Sequence, residues 1–507
     1  MRTSTLLLAV LLFPCLAFSA TLNVPGDYAT IQEAIVAAQT DDVVLVSPGI
    51  YSENIDFLGK AITVKSAQGA LLTLVNGGRL DSTVKFISGE GPGTVLEGFT
   101  ITNGAADFGS GIRCENSSSP TINNNIITAN VTDSAISVGG GIWCHNNSSP
   151  IITNNTISLN AAVLGGGGIF CDLGADPTIA NNSIWSNAVE FNGGGISCDL
   201  ASPTIVNNFI YANLVNGESG GGAGIYLVAS QAMLTNNTIC ENQCLGTSSK
   251  GGGIRCDTLA SIKVQNSILW NNSAAEGTEI YLDGFLLKPT LTIDSSDVEN
   301  HANAVIAKSG STLNWGPAMI SADPAFLFPG PVVYNLHLTR TSPCINMGDD
   351  DTAPETDADG DGRPYMGTSD IGADEYTDAH SLACDIFTLS EFTGGELHFD
   401  LNAGLLNMGR KYLIFGSATG SVPGIPLPHG GKTLPINWDG VTDFLLSVAY
   451  LFPGFSGNLD FFGRAEATLN TFGPIPGAAG LVLTFAFPLQ GPPWDFASNP
   501  IRVRIIP

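Results

Sequence analysis

Charge is scarce in this sequence. Charged residues make up 13% of 507, and only 19 of them are Lys or Arg against 46 Asp or Glu. A formal net charge of -27 repels phosphate backbones and anionic lipid surfaces, which sets nucleic acid aside as a partner. The acidity keeps an exported protein in solution, with divalent cations as the alternative reading. No Lys or Arg occurs between Cys114 and Ser249, so this stretch lacks the base that a polysaccharide lyase needs to take the proton α to a uronate carboxyl. Long apolar runs are missing too: after the first twenty residues no run reaches the roughly 18 that a transmembrane helix requires. There are only six His, and none has a partner legible in the sequence. His145 is a catalytic candidate by position, whereas His301, His337, His380, His398 and His429 read as packing or solvent residues. What is abundant is glycine, at 60 residues, and together with the low charge it points to a β-rich, loop-rich fold.

The N-terminus combines Arg2, an apolar run from Leu6 to Phe18 and small residues at Ala17, Ser19 and Ala20. This is the layout of a secretory signal peptide over residues 1–20, with the mature chain starting near Ala20 or Thr21. Cys15 stands where a lipoprotein cysteine would, but Pro14 precedes it in place of a small flexible residue, which favours secretion over a lipid anchor.

Internal repetition decides the architecture. Gly-Ile-x-Cys recurs at Gly111, Gly141, Gly168, Gly195 and Gly253, with Gly224-Ile225-Tyr226-Leu227 as a variant, at spacings of 30, 27, 27, 29 and 29. Ile-x-x-Asn recurs from Ile127 to Ile268 at 30, 27, 26, 29 and 29. Between them lie Pro120-Thr121-Ile122, Pro150-Ile151-Ile152, Pro177-Thr178-Ile179 and Pro203-Thr204-Ile205, each followed by an Asn-Asn pair. Segments this short form neither helices nor stable hairpins. Stacked as coils, each strand pairs with its copies above and below at about 4.8 Å, and the isoleucines fill one interior column. Asn at the bends accepts left-handed backbone and can ladder its amide along the stack.

The expected fold is therefore all-β: a right-handed parallel β-helix over residues 21–376, a linker at 377–385 and a small antiparallel β-sandwich at 386–507. Apolar residues at helical spacing from Tyr28 to Ala38 predict a helix that covers the open end of the stack. The domain boundary is placed near residue 378. Beyond it, Tyr412 to Phe415, Phe444 to Val448 and Leu481 to Phe485 read as strands between Gly/Pro turns.

The Thr30-Ile31-Gln32 helix, the Pro48-Gly49-Ile50-Tyr51-Ser52-Glu53 turn and the coil motifs resemble bacterial secreted β-helix proteins of the pectin-lyase-like superfamily. The coils are similar to polymorphic outer-membrane-protein repeats, with Ile in place of Phe. Ala322 to Phe326, Ser342 to Ile345 and Asp370 to Tyr376 resemble the usual end of such helices. The C-terminal region, with Gly416-Ser417, Leu459 to Ala465 and Ala497 to Pro500, resembles a small β-domain of planctomycete-like bacteria. The resemblance implies export and fold more than activity, because this scaffold serves lyases, hydrolases, esterases and adhesins alike. The pectinesterase Gln/Asp/Asp/Arg motifs do not follow Thr30-Ile31-Gln32.

A strand period of two sends Ile and Cys of Gly-Ile-x-Cys inward. Two outward columns result: Arg113, Trp143, Phe170, Ser197, Tyr226 and Arg255, and beside them Glu115, His145, Asp172, Asp199, Val228 and Asp257. Aromatic rings next to carboxylates suit a sugar, whose faces stack on rings while its hydroxyls bond to acids. Trp143, Phe170, Tyr226, Arg113, Arg255 and Asp257 are the candidate binding residues. Asp172 and Asp199, on adjacent coils roughly 5 Å apart, match the separation of a retaining glycosidase pair and with His145 are the catalytic candidates. The alternative is a solvated acidic face.

Asp357, Asp359, Asp361 and Gly362 match the first half of a calcium loop, although Thr368 stands where such a loop ends in Glu. Calcium is the one cofactor considered, set against a plain acidic turn. Without Cys15, nine cysteines remain; five belong to the inward ladder, whose parallel side chains suit packed thiols, which leaves Cys240/Cys244 and Cys344/Cys384 as candidate bridges. The leading expectation is a non-catalytic exported scaffold that binds extracellular polysaccharide or a cell-surface partner. A carbohydrate-active enzyme and a structural spacer are the alternatives.

Overall fold

The computed structural model describes residues 19–506 apart from 133, 285–286, 331–333, 340, 366, 378–381, 385–387, 404–406, 422–423, 429–431, 462 and 492–495. Residues 1–18 of the expected signal peptide, the expected boundary near 378, His380 and His429 lie outside the described residues. The chain forms two compact units: residues 1–323 with 348–360 and 371–373, and residues 324–347, 361–370 and 374–507.

The first unit is a right-handed parallel β-helix. Its three repeated motifs build three parallel sheets of 12, 10 and 10 strands, in which neighbouring strands come from successive coils. The Pro-Thr-Ile segments form the first sheet, Gly-Ile-x-Cys the second and Ile-x-x-Asn the third. Register follows the motifs: Ile112 pairs with Ile142, Ile122 with Ile152, and Ile127 with Ile157. All six side chains are fully buried. Each such burial contributes about 1.5–3 kcal/mol, and a one-residue slip would turn every one of them to solvent.

The helix Ile31–Ala37 forms where its spacing predicts it, burying Ile31, Ala34 and Ile35. The following segment secures both of its ends. The Glu53 carboxylate accepts the backbone N–H groups of Ile31 and Gln32, each at 3.0 Å, where the helix dipole favours an anion. Lys60 Nζ donates to the carbonyls of Ile35, Val36 and Ala38 at 2.6–2.8 Å, placing a cation at the opposite end.

The bends divide two tasks that the sequence reading gave to asparagine as a class. In each Asn-Asn pair the first residue takes the left-handed backbone, as at Asn154 and Asn181 with φ 57° and 56°. The second is buried and ladders: Asn155 sends its backbone N–H and its Nδ2 to Asn182 Oδ1, at 2.9 and 3.1 Å. A second ladder links Asn130, Asn160, Asn187, Asn213, Asn242 and Asn272. There the left-handed residue is the one before the asparagine, such as Leu159 or Ser186. The ladder ends on Glu279, whose carboxylate accepts Asn272 Nδ2 at 2.6 Å and Asn272 N at 3.1 Å. Glu279 directly precedes Ile280, the register partner of Ile254, and so stands where earlier coils of the repeat have glycine.

The inward thiols stack in register, Cys114 with Cys144, Cys171 and Cys198. All nine cysteines from Cys114 to Cys384 are buried thiols rather than disulfides, so the candidate bridges Cys240/Cys244 and Cys344/Cys384 do not form. Cys240 lies on the third sheet beside Tyr211 and Trp270, whereas Cys244 packs among Ala162, Val189, Val215 and Ala223.

The second unit has its own core, with Phe399, Phe455, Phe485 and Phe487 fully or almost fully buried. Glu396–Asn402 pairs antiparallel with Leu382–Cys384 and Arg464–Asn470. Val482–Ala486 pairs antiparallel with Phe415–Ser417 and Ile501–Ile506, and Thr388–Ser390 adds one parallel pairing. The stretch Phe444 to Val448, read from sequence as a strand, belongs instead to the helix Gly440–Val448. Asp439 caps it, accepting from Val441 N and Thr442 N while the Thr442 hydroxyl returns to the cap; Val441, Leu445 and Val448 then repeat at helical spacing. In this unit Arg363 and Glu375 form a fully buried ion pair, and Glu375 also accepts from Tyr365 N and Asp370 N.

Candidate functional site

The outward columns of the second sheet stand in the register expected from the motifs. Arg113 pairs with Trp143, Trp143 with Phe170, Phe170 with Ser197, Ser197 with Tyr226, and Tyr226 with Arg255. Asp172 pairs with Asp199 and Asp199 with Val228. The glycine run ahead of each strand makes this close stacking fit. Gly166 has φ 62°, and a Cβ there would come within 2.5 Å of the Ile169 carbonyl and 2.6 Å of Phe170 Cβ. Only glycine fits both constraints.

At the lower end, Arg113 pairs with Glu115 at 2.8 Å and lies 5.5 Å above the Trp143 ring. Trp143 is only 5% exposed. Phe108 stacks against it at 4.9 Å and the His145 ring at 4.4 Å, so the stacking surface expected for a sugar is used within the protein. Its indole N–H is buried and makes no well-formed hydrogen bond, yet it lies close enough to Asp172 to lower that carboxyl's value. Phe170, by contrast, is half-buried and makes no ring contact among the described residues.

His145 has a partner after all. Its Nδ1 lies 2.6 Å from Asp172 Oδ1, on the next coil. Burial holds the Asp172 carboxyl above its ordinary value; the His145 contact opposes the rise and the Asp199 charge adds to it. Burial likewise raises Asp199, which makes no hydrogen bond or ion pair with another side chain among the described residues. The two neighbouring carboxylates thus differ in chemistry: one is bound to an imidazole and the other is open.

At the upper end, the candidates bind one another. Arg255 Nη2 and Nε reach Asp257 at 2.8 and 3.2 Å, Tyr226 donates its hydroxyl to Asp257 at 3.0 Å, and Arg255 lies 5.4 Å over the Tyr226 ring. Arg255 Nη1 also donates to Asn192 Oδ1 at 3.2 Å. Burial and the Asp257 charge hold the Tyr226 hydroxyl far above its usual range. Val228 separates this closed knot from Asp199.

Two features were not singled out from the sequence. Phe108 comes from the turn before its strand, and no strand periodicity points to it. Leu173 and Leu200 follow Asp172 and Asp199 directly, are each 51% exposed, and adopt left-handed φ of 48° and 56°. Asn116 and Asn146 hold the equivalent position in earlier coils, at φ 60° and 53°. Leucine where asparagine is the easier choice was the signal available, since a bulky side chain costs about 1–2 kcal/mol there.

The three calcium-loop candidates have different surroundings. Asp357 is fully buried and accepts the Asp359 backbone N–H at 2.9 Å, Asp359 is exposed, and Asp361 accepts from the Thr377 hydroxyl at 3.2 Å.

The family model for the right-handed β-helix region matches residues 87–269, where the coils are most regular. No curated protein matches the chain. Among solved structures, the crystal structure of pectate lyase Pel9A is similar at 12% identity and a TM-score of 0.42, covering 71% of this chain and 97% of that one.

Proposed function

We propose that this chain is an exported β-helix protein that binds extracellular glycan or a cell-surface partner along its second sheet, without cleaving it. The observation that carries the reading is Phe170: a half-buried aromatic ring with no ring partner among the described residues, on the same strand as Asp172, whose register partner is Asp199. A ring beside carboxylates suits the alternating apolar and hydroxylated faces of a sugar. Export rests on the leader-like first twenty residues.

A second reading, a carbohydrate-active enzyme, is favoured by the 2.6 Å His145–Asp172 contact, which gives two neighbouring carboxylates distinct roles. One experiment separates the readings. The chain is incubated with neutral and acidic polysaccharides, and both retention and newly released reducing ends are measured. Retention without released ends, reduced in Phe170→Ala, is the expected outcome. Released ends that disappear in Asp172→Asn would establish the enzyme instead.

A further inference from the structure

Charge compensation along the outward face is uneven. Glu115 is matched by Arg113 and Asp257 by Arg255, while Asp172 is held by the His145 ring. Asp199 alone in this column has no such partner among the described residues, and it sits beside Asp172 in the strand register. Equivalent atoms on adjacent coils lie about 4.8 Å apart, so a single ammonium, with three N–H donors, can reach both carboxylates. The buried Trp143 indole N–H lies close enough to Asp172 to favour its ionised form without completing a well-formed hydrogen bond. A buried donor left unmatched costs about 1–3 kcal/mol, and a ligand oxygen or a carboxylate drawn toward the ligand would satisfy it. Leu173 and Leu200 place exposed apolar surface alongside, at a cost in backbone strain that solvent exposure alone does not repay.

From these features we infer that the Asp172–Asp199 strip selects a polymer of amino sugars with free amino groups. The inference rests on the glycan-binding reading and narrows its ligand. Uronate polymers are disfavoured because both arginines of the face already hold carboxylates, and no Lys or Arg occurs between Cys114 and Ser249. An N-acetylated or neutral sugar would leave Asp199 desolvated and uncompensated. A protonated amine supplies the missing charge, its ring carbons lie against Phe170 and the leucines, and its hydroxyls serve as acceptors.

The test is calorimetric titration of the full chain at pH 5.5 with three hexamers: glucosamine, N-acetylglucosamine and galacturonate. The expected result is binding of the glucosamine hexamer at least about tenfold tighter than the others. That preference should vanish in Asp199→Asn and persist in Glu97→Gln, a charge-equivalent change on the first sheet. An equal loss in both variants would mean attraction to bulk negative charge and would overturn the inference. Tighter binding of the N-acetylated or acidic hexamer would overturn it while leaving glycan binding intact. No binding of any hexamer would remove both.

Discussion

His145 and Asp172, 27 residues apart in sequence, meet across neighbouring coils with Nδ1 and Oδ1 2.6 Å from each other. The stack of Phe108 on Trp143 and Trp143 on His145 fixes the imidazole plane, so Asp172 is oriented before any ligand arrives. Asp172→Asn is expected to weaken glycan retention while changing unfolding stability by no more than about 1 kcal/mol, because both side chains are partly exposed. Retention assays and chemical unfolding of the same preparations check this; a large stability loss with unchanged retention would assign the pair a purely structural role.

The asparagine ladder makes the opposite prediction. Asn187 is fully buried, donates to Asn213 Oδ1 and the Ile157 carbonyl, and accepts from the backbone and side chain of Asn160. Asn187→Ala strands buried donors and an acceptor at once. A loss of about 3–5 kcal/mol is expected from two or more unmatched groups. Hydrogen exchange should locate the loosening in the coils on either side of residue 187.

Glu279 introduces a pH dependence. Burial pushes its carboxyl up to about 8, the Glu299 charge adds to this, and the Asn272 hydrogen bonds oppose it. A carboxyl with a folded value above its unfolded one binds more protons when folded, so stability falls as pH rises through the interval. The window runs from the ordinary 4.5 to about 8. Urea midpoints should decline across it in the native chain, and Glu279→Gln should flatten that decline.

Two glycine substitutions should differ in cost. Gly166→Ala forces a Cβ against the Ile169 carbonyl in a left-handed conformation, with an expected cost of at least about 1–3 kcal/mol. Gly91→Ala meets nothing within 4 Å and has no left-handed φ, so it should be neutral or slightly stabilising. Thermal unfolding of the two variants side by side provides the measurement.

The sequence by itself determined the coil and its register. Ile and Cys at alternate positions, repeated every 26 to 30 residues, bury correctly in only one alignment, and the capping helix follows from its apolar spacing. It also placed Asp172 beside Asp199, because register fixes which residues are neighbours along the stack. Other features lay beyond it. Phe444 to Val448 carries no strand-specific alternation, so the Asp439 cap and the helical spacing of Leu445 and Val448 prevail. Only the tertiary structure decided that Asp172 binds His145, that the Trp143 ring is used internally by Phe108, and that Tyr226, Arg255 and Asp257 close on one another. The physical reason is one of scale. Coils lie about 4.8 Å apart, less than the reach of these side chains, so each outward residue has several neighbours within range. Packing and charge, set by turns distant in sequence, select among them.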